Sequence, residues 1–482
     1  MRRALLAAGL WLVTLCGTAQ VAELERLVAA VEKESGMQHA QLSVCVYSTS
    51  RGSKVYGHHE QVSLTPASVN KLLTTGVGFA YLGSDFRFTT RLATRGRVDS
   101  EGVLNGNLYI IGGGDPLLGS YRYRQTSPDS LFDGWYRALK QKGINRIDGK
   151  ICYIASIFDD QPLHDSWQWG DVGNYYGAGV SGLNFHENMY FVYFTPGARL
   201  GYPASVVRTE PRNIGVGAKC EVTTGPEGSG DKVVIYGSPT GGDRLYRGTV
   251  PLGKNDFRVR GAMPNPAQRC ADQFAAHLRA HGLNVASQSM QLYSQPDSLI
   301  PLLDYYSSDY YTIAQYTNLT SNNIYAESIF KYLGYFKHGR GTYTNGAKAV
   351  MDWLREKRVE AGGVRVVDGS GLSANNRLTT DFLCRYLTAI SKESFFYDFQ
   401  QSLAVAGESG TARNLLQGHL QPGVRVHIKT GTMDGVKAYA GYVTAATGDK
   451  VAFAIICNGY ECSPAVVTEK MNRILAKIAT LK

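Results

Sequence analysis

Beyond residue 15 the chain lacks any long apolar run, so a membrane-spanning helix of about twenty apolar residues has no place in the rest of it. Polybasic runs are lacking too. The net charge of +10 is scattered, which describes a solvated surface or a general attraction to anionic polymers or membrane surfaces. There is no internal repeat. Cysteines are few, eight in 482 residues, irregularly spaced and mostly set in apolar stretches. That pattern favours buried thiols over a disulfide framework or a thiolate zinc site, with one bridge, Cys457 to Cys462 or Cys220 to another, left open. With 44% apolar and 19% charged residues, the composition excludes a disordered chain.

What is present begins with a leader. Met1-Arg2-Arg3, the apolar run Ala4 to Leu15, and Gly17-Thr18-Ala19 match a secretory signal cleaved near Ala19. Lipid attachment at Cys16 is disfavoured by the bulky Leu15 before it. The mature chain is therefore expected outside the cytoplasm, in the periplasm, with no transmembrane span and no nucleic-acid partner. Tyrosine is abundant, at 30 residues, and pairs such as Tyr175-Tyr176 either pack in a core or line a groove for sugars and peptides.

Helical patterning occupies the first part of the mature chain, with Leu24, Leu27, Val28 and Val31 on one face, and returns at Pro266 to His281. From Phe86 short strands punctuated by glycine take over, and residues 188–248 are richer still in Gly, Pro and Thr. The expected organisation is a leader, 1–19; a helix-and-sheet domain from 20–85 and 262–482; an insert from 86–187 and 249–261; and a β-rich segment, 188–248, nested within it.

Thr65-Pro66-Ala67-Ser68-Val69-Asn70-Lys71 reads as a helix start, with Thr65 as cap and Pro66 at the first helical position. Residues three apart on a helix share a face, so Ser68 and Lys71 would meet near the positive end of the dipole. A serine hydroxyl needs a base to become nucleophilic, and a lysine serves if burial and neighbouring cations lower its pKa. Two other S-x-x-K matches exist, Ser229 with Lys232 in a Gly-rich loop and Ser328 with Lys331 inside a helix. Neither offers an exposed helix end. Lys429-Thr430-Gly431-Thr432 ends an alternating strand, where the cation and hydroxyls can take a carboxylate while the backbone lies along an extended substrate. Between these lies Ser321-Asn322-Asn323, in which Ser321 could relay a proton and Asn323 could hold an amide.

The ordered set S-x-x-K, S-x-N and K-T-G in an exported chain resembles the motifs of penicillin-binding proteins and serine β-lactamases. More closely, the chain resembles the D-alanyl-D-alanine carboxypeptidase/endopeptidase group, the low-molecular-mass class C penicillin-binding proteins. Phe86 to Thr90, Gly112 to Leu117, Asp368 to Ser373 and Gly407 to Thr411 resemble the group's secondary signatures. The gap of 253 residues from Ser68 to Ser321 is similar to its large insertion between the first two motifs, which simple β-lactamases lack.

The resemblance implies an α+β fold, a β-lactamase/transpeptidase-like antiparallel sheet flanked by helices, with β-rich domains inserted between the first two motifs. It implies a serine DD-peptidase, carboxypeptidase or endopeptidase, that cleaves peptidoglycan stem peptides and is acylated by β-lactams. No cofactor or metal is implied, and the protein would be a monomer or homodimer. Ser68 would be the nucleophile, Lys71 the base, and Ser321 with Lys429 the proton relay. The Ser68 and Thr432 amides would form the oxyanion hole. Asn323, Thr430, Gly431 and Thr432 would line the substrate. Asp171 would meet the side-chain amine of the substrate's diamino acid and Tyr176, also at the substrate, stands where the group carries an aromatic, the other reading of Asp171 being a surface carboxylate. Ala374 stands where members commonly carry Arg, and Arg377 lies nearby. A serine β-lactamase and a non-catalytic wall-binding protein are the rival readings.

Overall fold

A computed structural model describes residues 19–481, except 213, 287, 446 and 447. The leader, apart from residue 19, and Cys16 thus lie outside the described residues. The chain divides into two compact units, the first holding the described residues up to Ser84, Ala314–Asn322 and everything from Ala347 onward. The second holds Asp85–Ile313 and Asn323–Gly346.

The first unit is built on a six-stranded sheet in the order Ala404–Val405, Arg425–Met433, Val436–Thr444, Lys450–Asn458, Gln41–Ser48, Ser53–His58. All its pairings are antiparallel. The strand Gln41–Ser48, paired on both sides, shows how sequence period sets the layers, because neighbouring side chains point to opposite faces. Leu42, Val44 and Val46 enter a core with Leu24, Val28 and Val31 of the helix at 19–32 and with Val467, Met471, Ile474 and Leu475 of Pro464–Ile478. On the other face Ser43, Cys45 and Tyr47 meet the helix Thr380–Ile390. The Ser43 and Thr380 hydroxyls are 2.7 Å apart, Tyr47 donates to Asp381 at 2.7 Å, and the Cys384 thiol points to the Cys45 carbonyl. The result is a sheet between helix layers.

The second unit carries a mixed sheet in the order Met290–Leu292, Ile151–Ile154, Val103–Ile111, Thr89–Val98, Ile300–Tyr306, with Arg146–Ile147 alongside. Helices Pro128–Gln141 and Pro266–Ala280 cover it through Phe132, Trp135 and Phe274. Two three-stranded sheets from Met189 to Ala262 form a separate core around Tyr190, Ile235 and Tyr246. Residues 262–313 and 323–346, read from sequence with the helix-and-sheet domain, fall in this second unit. The reason for the first stretch is that Ile300–Tyr306 completes the sheet beside Thr89–Val98 and Phe274 fills its core. The seven described cysteines are all free thiols, five of them buried.

Candidate active site

The helix start differs from the sequence expectation. Residues Ala67–Asn70 form a 3₁₀ turn and the α-helix proper runs Lys71–Leu82, with Pro66 just outside and no side-chain cap. Thr65 is committed elsewhere: its amide and carbonyl pair with the Asn458 side chain, and its hydroxyl accepts from Arg377 at 2.8 Å. Ala67 has φ +46°, a left-handed value that a residue with a Cβ adopts at a cost of about 1–3 kcal/mol. Partly exposed Ser68 sits on this strained turn.

Lys71 is wholly buried, and its Nζ donates to Ser68 Oγ at 3.0 Å and to the Ser370 carbonyl at 2.7 Å. The loop supplying that carbonyl is wrapped round the helix start. Asn70 donates to the Asp368 carbonyl at 2.8 Å, and Thr74 to the Gly369 carbonyl at 2.6 Å. Asp368 in turn accepts from the amides of Gly371 and Ser373. Gly371 has φ +80°, and a Cβ there would stand 2.0 Å from the Ala67 carbonyl oxygen, so only glycine fits.

The strand Arg425–Met433 brings in the second lysine. Lys429, also wholly buried, donates to Ser321 Oγ at 3.0 Å and to the Thr430 carbonyl at 2.8 Å. Burial, and then the charge of Lys71, push its pKa well below the usual amine value. Ser321 has φ +55°, in the break between helices Tyr310–Thr320 and Asn323–His338. Gly431 lies against the turn that carries Ser68: a Cβ on it would be 2.7 Å from the Pro66 oxygen and 3.0 Å from the Ser68 amide nitrogen. Thr430 donates to the Thr411 hydroxyl at 2.7 Å, and Thr432 is exposed on the same strand. Three stretches far apart in sequence, carrying Ser68 and Lys71, Ser321, and Lys429 and Gly431, are thus gathered in the first unit.

Residues 24–481 match the D-Ala-D-Ala carboxypeptidase 3 (S13) family. The chain belongs to that family. It is accordingly a serine-type D-Ala-D-Ala carboxypeptidase, a peptidase hydrolase. A D-alanyl-D-alanine carboxypeptidase of Actinomadura sp. (strain R39) is 29% identical over 477 residues, covering 92% of this chain and 82% of that protein. Penicillin binding protein 4 of Haemophilus influenzae superposes with a TM-score of 0.80 at 20% identity, over 94% of this chain and 99% of its own. The same protein complexed with a β-lactam gives a TM-score of 0.74 at 21% identity, over 93% and 97%. The α+β fold with a flanked antiparallel sheet is therefore that of penicillin binding protein 4.

In this S13 chain the remaining expected residues lie in the second unit. Asn323 donates from Nδ2 to the Tyr176 carbonyl at 2.7 Å. Asp171 is half-buried in the short helix Trp169–Val172; burial raises its pKa and a hydrogen bond from Tyr176 opposes the rise. The Tyr175 and Tyr176 rings pack edge to face, and Arg260 lies 3.6 Å over Tyr175. The decoy Ser328–Lys331 is structural: Lys331 pairs with Asp159 at 2.6 Å, and Ser328 bonds Asn184. Sequence reasoning missed Asn458, Thr411 and the Ser370 carbonyl. Thr411 and Ser370 fall inside two of the family-like stretches, whereas Asn458 had no signal. No helix among the described residues is long and apolar enough to cross a membrane.

Proposed function

We propose that Ser68 forms the acyl-enzyme and that Lys71 and the Ser321–Lys429 pair move the protons. Ser68 Oγ attacks the carbonyl of the penultimate D-alanine while its proton passes to neutral Lys71 Nζ. The Ser68 and Thr432 amides hold the oxyanion, each donor contributing about 3 kcal/mol. The C–N bond then breaks as Ser321 protonates the departing amine, and the proton that Lys71 took from Ser68 passes by way of Lys429 to restore Ser321. Water hydrolyses the ester and restores the hydroxyl. Lys429, Thr430 and Thr432 hold the terminal carboxylate. The observation that carries this reading is the pair of 3.0 Å contacts, Lys71 to Ser68 and Lys429 to Ser321. For Asn323, Asp171 and Tyr176 the family resemblance supports substrate contacts, to an amide and to a diamino acid's amine. The leader-like first nineteen residues support a periplasmic, peptidoglycan-facing location.

Fluorescent penicillin tests it. The chain should label, with a penicilloyl ester lasting minutes, and Ser68→Ala should not. Label surviving that substitution overturns the nucleophile. An ester that clears rapidly makes the protein a β-lactamase instead, and no label at all favours a wall-binding role. Defined monomeric and cross-linked muropeptides, with products read by mass spectrometry, then separate carboxypeptidase from endopeptidase action.

A further inference from the structure

Away from the serine, two helices of the second unit bring together a set of metal-type donors. Pro128–Gln141 and Pro266–Ala280 pack through Phe132 on Phe274, with ring centroids 5.4 Å apart. Asp133 follows Phe132 on the first helix. His277 and His281 are four residues apart at the end of the second, hence on one face, with ring centroids 4.2 Å apart. One donor atom from each of Asp133, His277 and His281 lies within 4.8 Å of the other two.

The hydrogen bonding prepares these groups for a cation. His281 Nδ1 lies 2.8 Å from the His277 carbonyl oxygen. A carbonyl only accepts, so Nδ1 carries the hydrogen, and the neutral ring presents its lone pair at Nε2. That arrangement, one ring nitrogen donating to a backbone carbonyl, is the usual setting of a metal-ligating histidine. His277 Nε2 is buried and sits 3.2 Å from Asp133 Oδ1. A second cluster, Glu32, His58 and His59, lacks this readiness, because His59 Nδ1 is already 2.9 Å from Gln41 Nε2.

We propose that Asp133, His277 and His281 form a binding site for a borderline divalent cation of the zinc class, which clips the two helices together. Two imidazoles and a carboxylate suit zinc, and tetrahedral bonds of about 2.0–2.2 Å leave a fourth position for water on the solvent side. Asp133 and His281 are exposed, so small rotations can draw the donors in.

The test titrates metal-stripped mature protein with Zn²⁺ by calorimetry and reads the unfolding midpoint with and without the ion. One equivalent should bind and raise the midpoint. His281→Ala, a change at an exposed helix end, should weaken binding about tenfold or more, as should Asp133→Asn, with the stripped proteins' midpoints unchanged. All cysteines are retained, so thiol binding stays as a constant background, and Glu32→Gln should change nothing. Absence of binding, titration curves that ignore His281→Ala and Asp133→Asn, or loss of binding with Glu32→Gln would each overturn the site.

Discussion

Lys71 and Lys429 are each taken out of water and held on one serine oxygen, at 3.0 Å in both cases, and on that geometry rests the proposal that they move the protons. Lys71→Met keeps the bulk and removes the base, and should slow penicillin acylation about 10²- to 10⁴-fold, measured as the labelling rate. For Lys429 the same burial works against stability. Its folded-state pKa lies well below 10.5, so the unfolded chain binds the extra proton between those values and folding is penalised there. The penalty, about 1.4 kcal/mol per unit of depression, is complete below the folded pKa and disappears as pH rises through 10.5. Lys429→Met should therefore abolish turnover yet raise the unfolding midpoint at pH 7, and the gain should shrink steadily in melts run towards pH 10. At Asp171, Asn substitution should lower kcat/KM about ten- to a hundredfold on muropeptides bearing a free side-chain amine and leave penicillin labelling unchanged. Equal loss on substrates without the amine would assign Asp171 a structural role.

The turn around Ser68 is where local sequence rules stop predicting. Thr65 and Pro66 have the composition of an N-cap and a first helical residue, yet the helix begins later, because Asn458 takes the Thr65 backbone and Ala67 turns left-handed. The Ser68–Lys71 contact survives that change, since a 3₁₀ turn aligns residues three apart even more directly than an α-helix. The Ser370 carbonyl that orients Lys71 could not be read as an acceptor, because a backbone oxygen has no residue type. The Gly431 requirement was legible only as a motif. In the structure it is a distance, strand backbone pressed on the Ser68 turn at a separation no Cβ permits. Gly431→Ala must push the strand or the turn aside, and a displacement of about 1 Å at reacting atoms costs about a hundredfold. Acylation should fall by that order while circular dichroism and the midpoint change little. A variant that acylates normally would show that the contact is slack.

Over the whole chain, periodicity revealed the longer strands and helices of the first unit, though not the short Phe396–Gln401 and Ala404–Val405; what it could not reveal was which of them meet. Gln41–Ser48 pairs with Lys450–Asn458, about four hundred residues away, and the helix at 19–32 shares a core with Pro464–Ile478. Pairing over such a gap leaves no local pattern, and the same holds for Ile300–Tyr306 joining the second unit's sheet. It follows that the last helix is needed by the first. Val467, Met471, Ile474, Leu475 and Ile478 are fully buried, and each contributes about 1.5–3 kcal/mol by leaving water. Their sum is comparable to the whole stability of a typical domain, about 5–15 kcal/mol. A chain ending before Pro464 should therefore lose the first unit as a whole, strands Gln41–Ser48 and Arg425–Met433 included, and with it all penicillin labelling. The second unit draws no core residue from that helix and should keep its own calorimetric transition. Met471→Ala grades the same effect: a loss of about 2–5 kcal/mol should lower only the first unit's transition, and a matching fall in the second would show that the two unfold as one.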